Sequence, residues 1–110
     1  MTRRNPTPRG VLREAKANAA RIRDTQVQFN RTMVDFIKAD LQTALTFSGI
    51  ALQSKDDDDK RRRNHANARR GHDTIVKFLK TVTLSAKDTR YVSRNLRRLK
   101  SELKELGATL

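Results

Sequence analysis

The sequence predicts an all-α protein: an up-down-up three-helix bundle with a basic, partly helical N-terminal extension. Three observations predict it. Apolar residues recur at helical spacing in three separate segments, both prolines (Pro6 and Pro8) fall near the start, and no segment alternates as a half-buried strand would. The expected layout is a basic arm over residues 1–24, then a bundle over 25–110 with helices at about 26–53, 57–82 and 86–106.

Residues 1–10 read as a disordered basic arm that ends at Gly10. After Gly10 the alanine-rich run has high helix propensity, and Leu12, Ala15, Ala19 and Ile22 form a weak stripe. A stronger helix is expected from about Gln26. Its buried row is Val34, Ile37, Leu41, Ala44, Leu45, Ser48 and Leu52, widened by Phe29, Met33, Phe36, Phe47 and Ile50. Gly49 costs this helix about 1 kcal/mol and is expected to mark a close helix contact.

Ser54, Lys55 and the run Asp56 to Asp59 then break the periodicity. Four adjacent carboxylates repel one another but suit the positive end of a helix dipole, so they read as a turn opening the second helix. With Lys60 they also match an enteropeptidase recognition sequence, which between two helices reads as part of the fold. The second helix carries the row Arg61, His65, Ala68, His72, Ile75, Leu79 and Val82. Ser85 and Asp88 form a capping pair for the third helix, whose leucine row is Val92, Leu96, Leu99, Leu103 and Leu106. Gly107 is the expected left-handed terminator.

The composition narrows the function classes. Of 110 residues 34% are charged, 35% are hydrophobic and 5% aromatic, which leaves room for one modest core. There is no cysteine, so no disulfide or thiolate metal site exists, and a reducing, cytoplasmic setting is expected. No apolar run reaches the ~20 residues that span a bilayer. The net charge is +13, and only residues 25–55, at +1, are nearly neutral. A field of that sign favours nucleic acid or another polyanion as partner.

No arrangement for catalysis stands out. There is no Ser/His/Asp order, glycine-rich phosphate loop or nucleotide fingerprint, so the sequence predicts neither an enzyme, a cofactor nor a small-molecule substrate. His65 and His72 share a helix face, but Asp73 is expected off it and no cysteine joins them, so no metal site is expected. The aspartate run fails as a calcium loop, because counting from Asp56 places Arg61 where a glycine is required and Asn67 where a glutamate is.

The candidate binding residues are basic. Lys60, Arg61, Arg62 and Arg63, with Arg69 and Arg70 beyond them, form the densest cluster. The third helix adds Lys87, Arg90, Arg94, Arg97 and Arg98 opposite its leucine row, and only Arg98 has an acid four residues on, at Glu102. Cations without in-helix partners on one face exceed what solubility requires and point to phosphate contacts.

The stretch Phe78 to Ser85, followed by Val92 to Leu99, resembles the turn and recognition helix of bacterial helix-turn-helix regulators. That resemblance implies that Lys87, Asp88, Arg90 and Tyr91 enter the major groove. It covers about 22 residues. The chain departs from the pattern in the longer spacing from Ser85 to Val92, in a helix about twice the usual length, and in having no wing after Gly107.

The leading expectation is therefore a non-enzymatic protein binding nucleic acid mainly through phosphates. The alternative is a protein-interaction or self-assembly module, in which the wide apolar face of the helix at 26–53 meets a partner helix or a second copy. A membrane-surface role ranks below both, because the basic faces lack accompanying Trp or Phe.

Overall fold

The computed structural model describes residues 8–110, which form α1 (Pro8–Gln53), α2 (Asp58–Leu79) and α3 (Ala86–Glu105). No strand occurs among the described residues. The chain divides into two units, Met1–Arg31 and Thr32–Leu110.

In the first unit the described part is helix alone. The expected disordered arm over 1–10 is corrected at its end: Pro8, Arg9 and Gly10 already belong to α1. Proline suits a helix start, because its missing N–H lies where no intrahelical acceptor exists and its φ is already helical. Residues 1–7 of that arm lie outside the described residues. Between 8 and 31 every side chain is exposed or half-exposed, including Leu12, Ile22, Val27 and Phe29.

The sequence expects a second helix to start near residue 26, but α1 runs on without interruption. Thr25, just before that expected start, turns its hydroxyl back to donate to the Arg21 carbonyl at 2.9 Å and stays within the helix.

In the second unit the core draws on all three helices: Ile37, Leu41, Ala44 and Leu45 of α1, Ala68 and Ile75 of α2, and Val92, Leu99 and Leu103 of α3. The buried face of α1 follows the expected row from Val34 to Ser48. It closes on Ala51, with Leu52 half-buried beside it. Leu96, Leu106, Leu79 and Val82 are also half-buried, so each row is buried at its centre and wetter at its flanks. Phe47 packs against the core, while Phe36 remains 45% exposed and meets Phe78 edge to face, ring centroids 5.7 Å apart.

Contacts between helices follow a consistent order. Along α1, Phe36 meets Phe78 and Ala44 meets Gly71, so rising positions meet falling positions of α2. Toward α3 the order rises on both sides: Lys38 pairs with Asp88, the Gln42 amide donates to the Tyr91 hydroxyl at 2.7 Å, and Ser48 reaches Glu102 at 3.1 Å. The Ser48 hydroxyl also lies 3.0 Å from the Leu45 carbonyl, and its one proton serves one acceptor at a time.

The glycines correct one expectation. A Cβ on Gly49 would meet nothing within 4 Å, so Gly49 marks no close contact. The close approach is at Gly71, where a Cβ would lie 2.9 Å from Ala44 Cβ. Periodicity alone cannot tell which helical glycine faces a neighbour.

The ends of α2 and α3 are fixed by their caps. Asp57 is the N-cap of α2 and accepts from the Lys60 amide at 3.0 Å, while Asp58 and Asp59 fill the first turn, as the aspartate run led us to expect. Ser85 caps α3 and accepts from the Asp88 amide at 3.1 Å. At the far end Gly107 has φ +96°, and the amides of Gly107 and Ala108 donate to Lys104 and Leu103 at 2.9 Å each. This double bond is a Schellman closure, and Ala108 seals it by packing on the core.

Candidate functional site

The basic residues of α2 follow directly from its cap. Asp57 starts the helix, so Lys60, Arg61, Arg62 and Arg63 occupy consecutive positions of its first turns, and all four are exposed. Consecutive residues step 100° around a helix, so these four fan out rather than form one face. Arg61 is tied to Asp58 at 2.8 Å.

Further along α2, Arg69 and Arg70 separate in role. Arg69 grips Asp73 through its Nε, at 3.2 and 3.3 Å to the two carboxylate oxygens, and donates to the Thr109 carbonyl at 3.2 Å. Arg70 is exposed and lines a groove of about 380 Å³ with Phe36, Asp40, Phe47 and Thr74. Partial burial raises the Asp40 carboxyl above its ordinary range.

On α3, Lys87, Arg90, Arg94, Arg97 and Arg98 are all exposed. By the same 100° step, Arg90, Arg94 and Arg97 lie opposite the buried Val92, Leu99 and Leu103. Arg98 sits at the edge of that face and pairs with Glu102 at 3.3 Å. Among the described residues, Lys60, Arg62, Arg63, Arg70, Arg90, Arg94 and Arg97 make no ion pair, whereas Arg61, Arg69 and Arg98 each do.

Comparison with known proteins gives no match. No protein family, no curated protein and no solved structure matches this chain.

The resemblance to helix-turn-helix regulators implies four groove-reading residues, and two of them are occupied within the fold. Asp88 is ion-paired with Lys38 of α1, and the Tyr91 hydroxyl accepts from Gln42 while Lys38 Nζ sits 5.5 Å above its ring. The Lys38 ammonium, with help from Ser85, holds the Asp88 carboxyl below the ordinary carboxylate range, and Asp88 in turn raises Lys38. These contacts aim Asp88 and Tyr91 at α1. Lys87 and Arg90 stay exposed.

The histidines separate as well. His65 is half-buried, while His72 is 6% exposed. Its Nδ1 lies 2.9 Å from the carboxylate of Asp73, the next residue along the helix. The His72 contact, and after it Arg69, lowers the Asp73 carboxyl. His72 Nε2 is buried without a hydrogen-bond partner. No group of three or more His, Cys, Asp or Glu that could hold a metal occurs among the described residues.

Two cations were not among the sequence candidates. Lys100 and Lys104 line a groove of about 320 Å³ between α2 and α3, with Arg69, His72, Asp73 and Val76. Their signal was in the sequence: four residues apart, they flank the leucine row on one side.

Proposed function

We propose that this protein is a non-enzymatic, basic helical module that binds nucleic acid, mainly through its phosphates. The observation that carries the reading is the outward face of α3, where Arg90, Arg94 and Arg97 are exposed and, among the described residues, free of ion pairs. Arg62, Arg63 and Arg70 of α2 supply further exposed cations. Guanidinium groups offer a planar fork of donors suited to phosphate oxygens. The one tyrosine is turned to Gln42, so the reading rests on phosphate contacts rather than on stacking against Tyr91.

The fold that goes with this function is an up-down-up three-helix bundle over the second unit. Its support is the contact order, falling along α2 and rising along α3.

The test is a titration of duplex DNA and single-stranded RNA at several salt concentrations. Six phosphate contacts give a slope of log affinity against log salt near −5 on duplex DNA, from about −0.9 per contact. Failure to bind either polymer more tightly than about 100 μM near physiological salt would end the reading, being no better than ordinary non-specific binding.

A second reading, a protein-interaction surface on the second unit, rests on Phe36, which is 45% exposed.

A further inference from the structure

The described part of the first unit is a helix whose apolar side chains are open to solvent. From residue 8 to 31 no side chain is buried, yet the segment is not uniformly polar. Leu12, Ala15, Ala19, Ile22, Gln26 and Phe29 follow one another at spacings of three and four. That is the a/d pattern of a coiled coil over three heptads, with Leu12, Ala19 and Gln26 at a and Ala15, Ile22 and Phe29 at d. Leu12, Ile22 and Phe29 are 61%, 58% and 62% exposed, so the seam is open along its length.

We infer that this seam pairs with the same seam of a second copy of the chain, as a parallel, in-register two-stranded coiled coil. Two features select a second copy in that orientation. The first is Gln26, the one polar residue in the seam. In a parallel, in-register pair it meets its own counterpart, and the two amides satisfy each other as donor and acceptor. In an antiparallel pair over the same residues it lies across from Ala15, with no partner.

The second feature is the charge beside the seam. One flank (the e positions) carries Lys16 and Arg23, and the other (the g positions) carries Val11, Asn18 and Thr25. A parallel pair sets each e against the g of the preceding heptad in its partner, so Lys16 meets Val11 and Arg23 meets Asn18. No like charges are opposed. An antiparallel pair sets e against e and brings Lys16 toward Arg23 of the other copy. A helix built for an acidic partner would gain from cations on both flanks, and this one is basic on one flank only.

The inference uses the first unit alone and does not depend on polyanion binding. Its experiments read mass and cross-linking rather than affinity for nucleic acid, so the two readings fail separately. Sedimentation of the full chain from micromolar to near-millimolar concentration should show a monomer–dimer equilibrium. Added salt should strengthen it, because the paired segments carry the same net sign. Ile22→Lys and Phe29→Lys, at sites exposed in the single chain, should each weaken the dimer more than roughly tenfold while circular dichroism and the thermal transition persist.

The chain has no cysteine, so orientation can be read directly. Under mild oxidation Leu12→Cys should form a disulfide dimer, whereas Ala17→Cys, outside the seam, should not. A monomer at every concentration, a dimer indifferent to both lysine variants, or equal cross-linking by the two cysteine variants would each overturn the inference. An antiparallel pair or a dimer weakened by salt would do the same.

Discussion

Gly71 of α2 and Ala44 of α1 meet where a single added carbon would be too many. A Cβ on Gly71 would stand 2.9 Å from Ala44 Cβ, an atom fixed to its backbone and unable to rotate away. Gly71→Ala gains helix propensity of about 1 kcal/mol but overpacks a rigid contact, which costs typically 1–3 kcal/mol. The expected result is a net loss of up to about 2 kcal/mol in urea unfolding. A stabilised variant would mean that α1 and α2 separate here without strain.

Gly49 supplies the matched control. Nothing lies within 4 Å of where its Cβ would be, and it is inside α1, so Gly49→Ala is expected to raise stability by roughly 0.5–1 kcal/mol. The same glycine-to-alanine change should therefore move the unfolding midpoint in opposite directions at the two sites.

Leu99 is fully buried at the centre of the α3 row. Leu99→Ala removes that packing and is expected to cost about 2–5 kcal/mol. A loss below about 0.5 kcal/mol in chemical denaturation would contradict its place in the core.

Acid should loosen the contact between α1 and α3. The Asp88 carboxyl titrates lower folded than unfolded, chiefly because Lys38 holds it ionised, so its contribution is complete above the ordinary carboxylate range, near 4. That contribution is lost as the pH falls through the lower folded value. Asp73 adds the same sign through His72, and Asp40, raised by burial, opposes them. Unfolding curves collected from neutral pH into acid should be shallower for Asp88→Asn than for the wild type. The difference should shrink in high salt, because the pair is partly solvated. Parallel curves would show that Asp88 has no folded partner.

Arginines already paired should matter less to nucleic acid than those left open. Arg94→Ala is expected to reduce the salt slope by about one unit and to weaken all sequences alike. Arg98→Ala should change it less, because Arg98 must give up Glu102 before it can meet a phosphate. If Arg90→Ala instead costs about 1–3 kcal/mol on one DNA site and little elsewhere, base readout rather than phosphate contact is at work.

The sequence made the fold class legible because apolar spacing, a capping serine and a terminal glycine are local signals. The leucine row, the Ser85 cap, the Asp57 turn and the Gly107 closure all depend on residues within a few positions of one another. What escaped was non-local or finely balanced. That α1 runs unbroken past residue 26 has no local marker in the sequence, and whether Gly49 or Gly71 faces a neighbour depends on which helix lies opposite. The candidate site was legible as composition, since its cations stand on exposed helix faces. Their pairing was legible only in part: Arg98 with Glu102 follows from spacing, whereas the Arg69 contact to Thr109 crosses from α2 to the segment after α3.

Tyr91 is the only tyrosine in the chain, and there is no tryptophan. Its ring lies under Lys38 and its hydroxyl is held by Gln42, both on α1. Tyrosine fluorescence from this protein therefore originates at one point, the seam where α3 meets α1. Withdrawal of α3 would alter the emission of that phenol without any added label, giving a built-in optical gauge of docking during refolding or ligand titration.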